Sequence, residues 1–172
     1  MHDVKEHALD FCKGIYDFKV EDKFWPIVFE YLREHEDELV FDREAIHTLW
    51  TVNGGHLRRK IKNDDLILDV LLKFLPKYGG EGMVLYRGEC RFLFEEKKVG
   101  FCWTPKEEVA EMFARGLNAI ESGGVLLKAF APPKAIISSP NKHSAKQMEE
   151  FEYTCNPRML EDIEVIRFYE KY

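Results

Sequence analysis

The period of the hydrophobic pattern changes once along this chain, near residue 80, and that change limits the fold more than any other feature. Before it, apolar residues recur every three to four positions, the spacing of a helix face. Val4, Ala8, Phe11, Ile15 and Phe18 form one stripe, and Phe24, Val28, Tyr31 and Leu32 a second. A third stretch, from Asp42 to about Lys62, carries Ala45, Ile46, Leu49, Trp50 and Leu57, with Gly54-Gly55 expected to break or kink it. A fourth, from about Asp64 to Leu75, turns Leu66, Ile67, Val70, Leu71 and Phe74 inward, and Pro76 with Gly79-Gly80 ends it. Short strand-like runs follow: 83–87, 100–103, 124–131, 135–137, 151–155 and 163–169. One helix interrupts them, from Pro105 to about Gly116, with Thr104 as N-cap, Pro105 in the first turn and Glu107 closing a capping box. No internal repeat is visible. The pattern predicts an α+β chain: a helical region over 1–80 packed with a mostly antiparallel sheet unit over 81–172, long enough for one sizeable core.

A formal charge of −6 argues against a general electrostatic nucleic-acid binder, though not against nucleic acid as a substrate. The one basic run, His56-Leu57-Arg58-Arg59-Lys60-Ile61-Lys62, reads either as a solvated helix face or as a surface that docks an acidic target. No charged stretch followed by an apolar one marks a signal peptide, and no apolar run approaches the ~18 residues a membrane span needs, so the expectation is a cytoplasmic protein. Cys12, Cys90, Cys102 and Cys155 are scattered, without a CxxC pair or a histidine at ligand spacing. That points to reduced thiols rather than a metal site or a disulfide framework.

Three local features carry candidate chemistry. Leu85-Tyr86-Arg87-Gly88-Glu89 ends an apolar strand in an arginine, whose planar fork suits a phosphate or carboxylate, beside a glycine that lets a ligand approach the backbone. Alone it also fits a surface arginine before a turn. Gly100-Phe101-Cys102-Trp103-Thr104-Pro105 delivers an indole and a hydroxyl onto a helix start. Capping already accounts for Thr104, Trp103 also fits the core, and Phe113 reads as a core residue. In Glu149-Glu150-Phe151-Glu152-Tyr153-Thr154-Cys155, a strand of period two puts Phe151, Tyr153 and Cys155 on one face and Glu150 and Glu152 on the other, about 7 Å apart. Like charges that close make one carboxyl harder to ionise, which suits a division of labour; the same pattern fits a solvated strand face.

Taken in order, Tyr86-Arg87-Gly88, then Phe101-Cys102-Trp103-Thr104 with the Ala110…Phe113-Ala114 helix, then Glu150-Phe151-Glu152 resemble the ADP-ribosyltransferase fold, in the branch marked by an arginine, a serine/threonine strand and a glutamate pair. The resemblance covers about residues 82 to 169 and is similar to small bacterial or phage toxin-like members. It implies a split, mostly antiparallel sheet core and NAD as substrate, with no metal. Arg87 would hold the dinucleotide through phosphate or ribose oxygens, and Gly88 would offer backbone groups to the nicotinamide amide. Thr104 would stand in the hydroxyl-bearing element, with Trp103 and Phe113 among the residues around the dinucleotide. Glu152 would be the catalytic glutamate, and Glu150 would orient or deprotonate the acceptor. The segment from Ser138 to Met148 would be the mobile loop that meets the target. The implied partners are NAD, a protein or nucleic-acid acceptor and, for a toxin, an antitoxin or inhibitor protein; no membrane is involved.

The chain departs from that pattern at Trp103-Thr104-Pro105, where the branch usually has Ser-Thr-Ser, so the serine that supports the catalytic glutamate is unassigned. Water in place of the acceptor would make the same site an NAD glycohydrolase. A chain that kept the fold and lost the chemistry would be an interaction module.

Overall fold

The computed structural model describes residues 2–172, which divide into two compact units, Met1–Lys77 and Tyr78–Tyr172. The chain is α+β, with helices and two small antiparallel sheets.

The first unit holds α1 (His2–Cys12), α2 (Trp25–Glu34), α3 (Arg43–Ile61) and α4 (Asp64–Phe74). Their inward stripes, including Phe11, Phe29, Leu32, Ile46, Leu57, Leu71 and Phe74, are fully buried. The first stripe is shorter than its periodicity predicts. Gly14 takes a left-handed φ of 75°, the Ile15 N–H donates to the Asp10 carbonyl and the Gly14 N–H to the Phe11 carbonyl. This is a Schellman closure that ends α1 and leaves Ile15 and Phe18 exposed. Gly54-Gly55 does not break α3. A Cβ on Gly54 would stand 3.0 Å from the Trp50 ring, so the absent side chain makes room for the indole. The cost of two helical glycines, about 1 kcal/mol each, is outweighed by the buried face and the caps. Asp42 accepts the Ala45 N–H at 3.1 Å, and Asn63 opens α4 by accepting the Leu66 N–H at 3.1 Å. The basic run is engaged inside this unit. Arg58 makes two 2.9 Å bonds to Asp64, and the Lys60 ammonium lies 3.1 Å from Asp22 and over the Tyr16 ring.

His47 on α3 is 3% exposed and its Nε2 has no hydrogen-bond partner among the described residues; burial holds its pKa at about 4 instead of 6.5. Between those values the unfolded chain takes up a proton that the folded chain refuses. Stability present above pH 6.5 is therefore lost as pH falls towards 4, by about 3 kcal/mol in all. Denaturant midpoints at pH 7 and pH 4.5 should show this drop in the wild type. In His47→Gln it should shrink by most of that amount; an unchanged pH slope would rule His47 out as its source.

In the second unit, β1 (Met83–Cys90), β3 (Gly124–Ala131) and β6 (Glu161–Tyr169) form one antiparallel sheet in the order β1-β3-β6. A second, in the order β2-β5-β4, joins β2 (Cys102–Trp103), β5 (Tyr153–Cys155) and β4 (Ile136–Ser138). Tyr86 and Thr104 exchange both backbone hydrogen bonds, at 2.7 and 2.9 Å, and so bridge β1 to the end of β2. The shared core contains Leu85, Trp103, Val125, Leu127, Ile136 and Cys155. The opposite face of β1 and β3 is covered by α6 (Glu107–Arg115), through Ala110, Ala114 and Leu126. The approach is close enough that a Cβ on Gly88 would overlap the backbone of Ala110 and Ala114.

Three expectations change here. The strand of Arg87 runs on to Cys90 and passes straight into a short helix, α5 (Arg91–Glu95), which the pattern did not signal. Helix α6 begins at Glu107 with Lys106 at its N-cap position and no side-chain cap, so Thr104 does not cap it. The segment Phe151–Cys155 is not a strand throughout; β5 starts at Tyr153, because Glu149 and Phe151 adopt left-handed φ values of 56° and 50° that no strand accommodates. All four cysteines are free thiols, and burial pushes Cys12 up to about 11 and Cys155 to about 12. Among the described residues no helix is long and apolar enough to cross a membrane.

Candidate functional site

Strand alternation sets the site's first layer. Leu85, Arg87 and Glu89 share one face of β1, while Tyr86, Gly88 and Cys90 share the face under α6. Arg87 and Glu89, two residues apart, therefore meet. The Arg87 Nε–H donates to Glu89 Oε2 at 2.7 Å, and Nη1 donates to the Cys102 carbonyl at 2.8 Å. Glu89 is 1% exposed, and its carboxylate also accepts the N–H groups of Gly100 and Cys90, each at 2.9 Å. Burial alone would raise the Glu89 pKa; the adjacent guanidinium and these N–H donors overcome that and hold it below the ordinary carboxylate value. Gly100 lies flat against the guanidinium, where a Cβ would collide with it.

Glu152 forms the second layer. It approaches from the turn before β5, with the Cys102 thiol, Arg87, Glu150 and His143 close enough to act on its charge. Burial is the largest influence and Glu150 adds to it. The thiol, Arg87 and His143 pull the other way, and the net result is a carboxyl raised to about 7. The same burial, and then the facing carboxylate, push the Cys102 thiol well above its ordinary range. Protonated at neutral pH, this thiol is inert as a nucleophile.

The backbone of the glutamate pair is fixed from two sides. The Thr104 hydroxyl donates to the Glu150 carbonyl at 2.7 Å and accepts the Lys106 N–H at 3.2 Å. Ser144 is fully buried in a π-helical turn, His143–Gln147. Its carbonyl accepts the Glu150 and Phe151 N–H groups at 2.9 and 3.4 Å, and its Oγ accepts the Glu152 N–H at 2.8 Å. Asn141 Oδ1 in turn holds the Ser144 N–H at 2.8 Å. Because Phe151 is left-handed, Glu150 and Glu152 do not line one strand face. Both side chains are half-buried, and the Glu150 carboxyl is raised by burial and lowered in part by His143. The Lys106 ammonium sits 4.0 Å above the Phe151 ring.

Of the residues picked out in the sequence, Arg87, Thr104, Glu150 and Glu152 are thus brought together. Trp103 is 1% exposed in the core, its indole N–H satisfied by the Gly100 carbonyl at 3.0 Å. Phe113 lies elsewhere, lining an apolar groove of about 410 Å³ with Met112, Leu117, Ile120 and Tyr172. Gly88 directs its backbone groups to the same edge of β1 as Tyr86 does, and its carbonyl accepts from Asn118 Nδ2 at 2.8 Å. Three participants escaped the sequence reading. Glu89 was open to it, since a residue two positions after Arg87 on a strand shares its face. Cys102 and Ser144 offer no such pattern, because their partners lie far along the chain. Among the described residues no group of three His, Cys, Asp or Glu side chains is arranged to hold a metal ion.

No family model matches the chain, and neither a curated protein nor a solved structure does.

Proposed function

We propose that the unit Tyr78–Tyr172 is of the ADP-ribosyltransferase type. It cleaves the nicotinamide–ribose bond of NAD and passes the ADP-ribose to a macromolecular acceptor. The observation that carries this reading is the gathering of Arg87, Thr104, Glu150 and Glu152 at one place, with Thr104 bonded to the Glu150 carbonyl, Ser144 to the Glu152 N–H, and the Glu152 carboxyl, within electrostatic reach of Arg87, raised to about 7. Bond cleavage leaves the ribose with cationic character, as in glycoside hydrolysis. A carboxylate with little water around it stabilises that charge more in the transition state than before it. The electrons of the broken C–N bond neutralise the pyridinium, so nicotinamide leaves uncharged and needs no strong acid. The acceptor's lone pair then bonds to the ribose C1′, and its proton passes to Glu150.

The local donors suit a dinucleotide at its reacting end. Gly88 has its N–H at the β1 edge, its carbonyl being held by Asn118, and Arg87 Nη2 has no protein partner among the described residues. Arg87 supplies position rather than bond-making. We assign the role of the missing serine to Cys102, whose protonated thiol lies close enough to Glu152 to lower its pKa.

The test is to incubate the protein with labelled NAD, alone and with cell lysate, and to follow free nicotinamide and label on macromolecules. Transfer predicts release that depends on lysate, with label on a species that protease or nuclease digestion then classifies. Glu150→Gln should cut labelling about 10- to 100-fold while sparing slow hydrolysis. Release that ignores lysate identifies a glycohydrolase instead. If the protein neither binds NAD nor releases nicotinamide, the enzymatic reading fails and an interaction module stands in its place.

A further inference from the structure

We propose that Glu89 is a positioning residue of this site, acting on NAD through Arg87; this rests on the function proposed above. A long, flexible arginine at a cleft loses side-chain entropy each time it engages a ligand. Here that ordering is completed within the protein. The guanidinium is held on three sides: by the Glu89 carboxylate at Nε, by the Cys102 carbonyl at Nη1 and by the Cα of Gly100 against its plane. Nη2, the atom nearest to where a Gly100 Cβ would stand, has no protein partner among the described residues and is the donor this clamp leaves for a ligand.

Glu89 is itself pinned, since its two oxygens also take the N–H groups of Gly100 and Cys90. These come from the loop before β2 and from the end of β1, so the carboxylate ties together the two segments that flank the arginine. With 1% exposure it cannot touch a substrate, and its influence has to pass through Arg87. The pair also cancels most of the arginine's charge, so what Glu89 provides is direction rather than field strength.

Three variants test the idea: Glu89→Gln, Arg87→Met and the double variant, each checked for folding by its melting curve. The double variant removes both charges and leaves neither buried alone, so it guards against a simple folding failure. Glu89→Gln should raise the KM for NAD about tenfold or more and leave kcat within about threefold, the signature of lost ground-state positioning. If Glu89 acts through Arg87, the double variant should be no worse than Arg87→Met alone.

A spectroscopic readout needs no NAD chemistry. In ¹⁵N-labelled wild type, the Arg87 Nε–H should give a slowly exchanging resonance that moves or broadens in Glu89→Gln. A wild type without NAD binding would defeat the functional reading, and the resonance alone would then judge the clamp. Losses that multiply in the double variant, or a resonance indifferent to Glu89→Gln in the folded protein, would overturn the assignment.

Discussion

Glu152→Gln should lower NAD turnover about 1,000-fold and at the same time make the protein harder to unfold at alkaline pH. The first effect follows from removing the one ionisable group aimed at a developing positive charge, a loss of about 4 kcal/mol in transition-state stabilisation. The second follows from the carboxyl's raised pKa, about 7 against an ordinary 4.5. Below pH 4.5 the group is protonated in both states and contributes no penalty. Between 4.5 and 7 the unfolded chain releases its proton while the folded chain keeps it, so stability falls as pH rises. Above 7 the full penalty applies, about 2 to 3 kcal/mol after allowing for its partial exposure. Glutamine carries no such penalty. Melting temperatures of the two proteins should converge near pH 4.5 and separate by roughly 5 to 10 °C at pH 8. In the wild type, turnover should rise with pH through about 7, since only the ionised form stabilises the ribose cation. Turnover within tenfold of wild type would remove Glu152 from the reaction, and parallel melting curves across pH would show that its carboxyl is not held neutral by burial.

The second large effect concerns a methyl group. Gly88→Ala places a Cβ into the Ala110 carbonyl and the Ala114 backbone, which cannot yield without lifting α6 from β1. The loss should be about 3 to 5 kcal/mol, because relief uncovers the seam of Ala110, Ala114 and Leu126. The same substitution at Gly55 is its control. A Cβ there meets nothing within 4 Å, and the residue lies exposed inside α3, so alanine should stabilise by about 0.5 to 1 kcal/mol. Urea midpoints of the two variants should therefore move in opposite directions. A Gly88→Ala protein with a wild-type midpoint would refute the close packing of α6.

The contrast between these glycines shows what the chain's pattern discloses. Hydrophobic spacing records which way a face points, so α4, β3 and most of α2 and α3 were legible from apolar residues alone. It does not record distance between elements. The meaning of Gly54 and Gly88 depends on an indole and on a helix that come close only after folding, and Gly54-Gly55 read as a break for that reason. Local turn chemistry was the other blind spot. Gly14 truncated a stripe that periodicity would carry on through Phe18. At Glu149 and Phe151, two left-handed residues displaced a strand that alternation alone would start earlier. For the site, Arg87 and the glutamate pair were legible because short motifs preserve their order. Glu89 was within reach of strand alternation. The thiol of Cys102 and the buried Ser144 were not, since each is defined by a partner from another segment of the chain.

Ser144 divides its own segment into two parts with different freedoms. The three N–H groups of Glu150, Phe151 and Glu152 are anchored to a single buried residue, so Glu152 owes its place to backbone bonds rather than to the side chains between. Lys146 and Met148 stand exposed on the outward side of that knot, whereas Gln147 is tied to His143 at 2.8 Å. Substitutions at Lys146 and Met148 can alter what this surface touches while the inner carboxyl stays where it is. Selectivity at the surface and chemistry beneath it can therefore change independently, and these two positions are where diversification would cost the fold least.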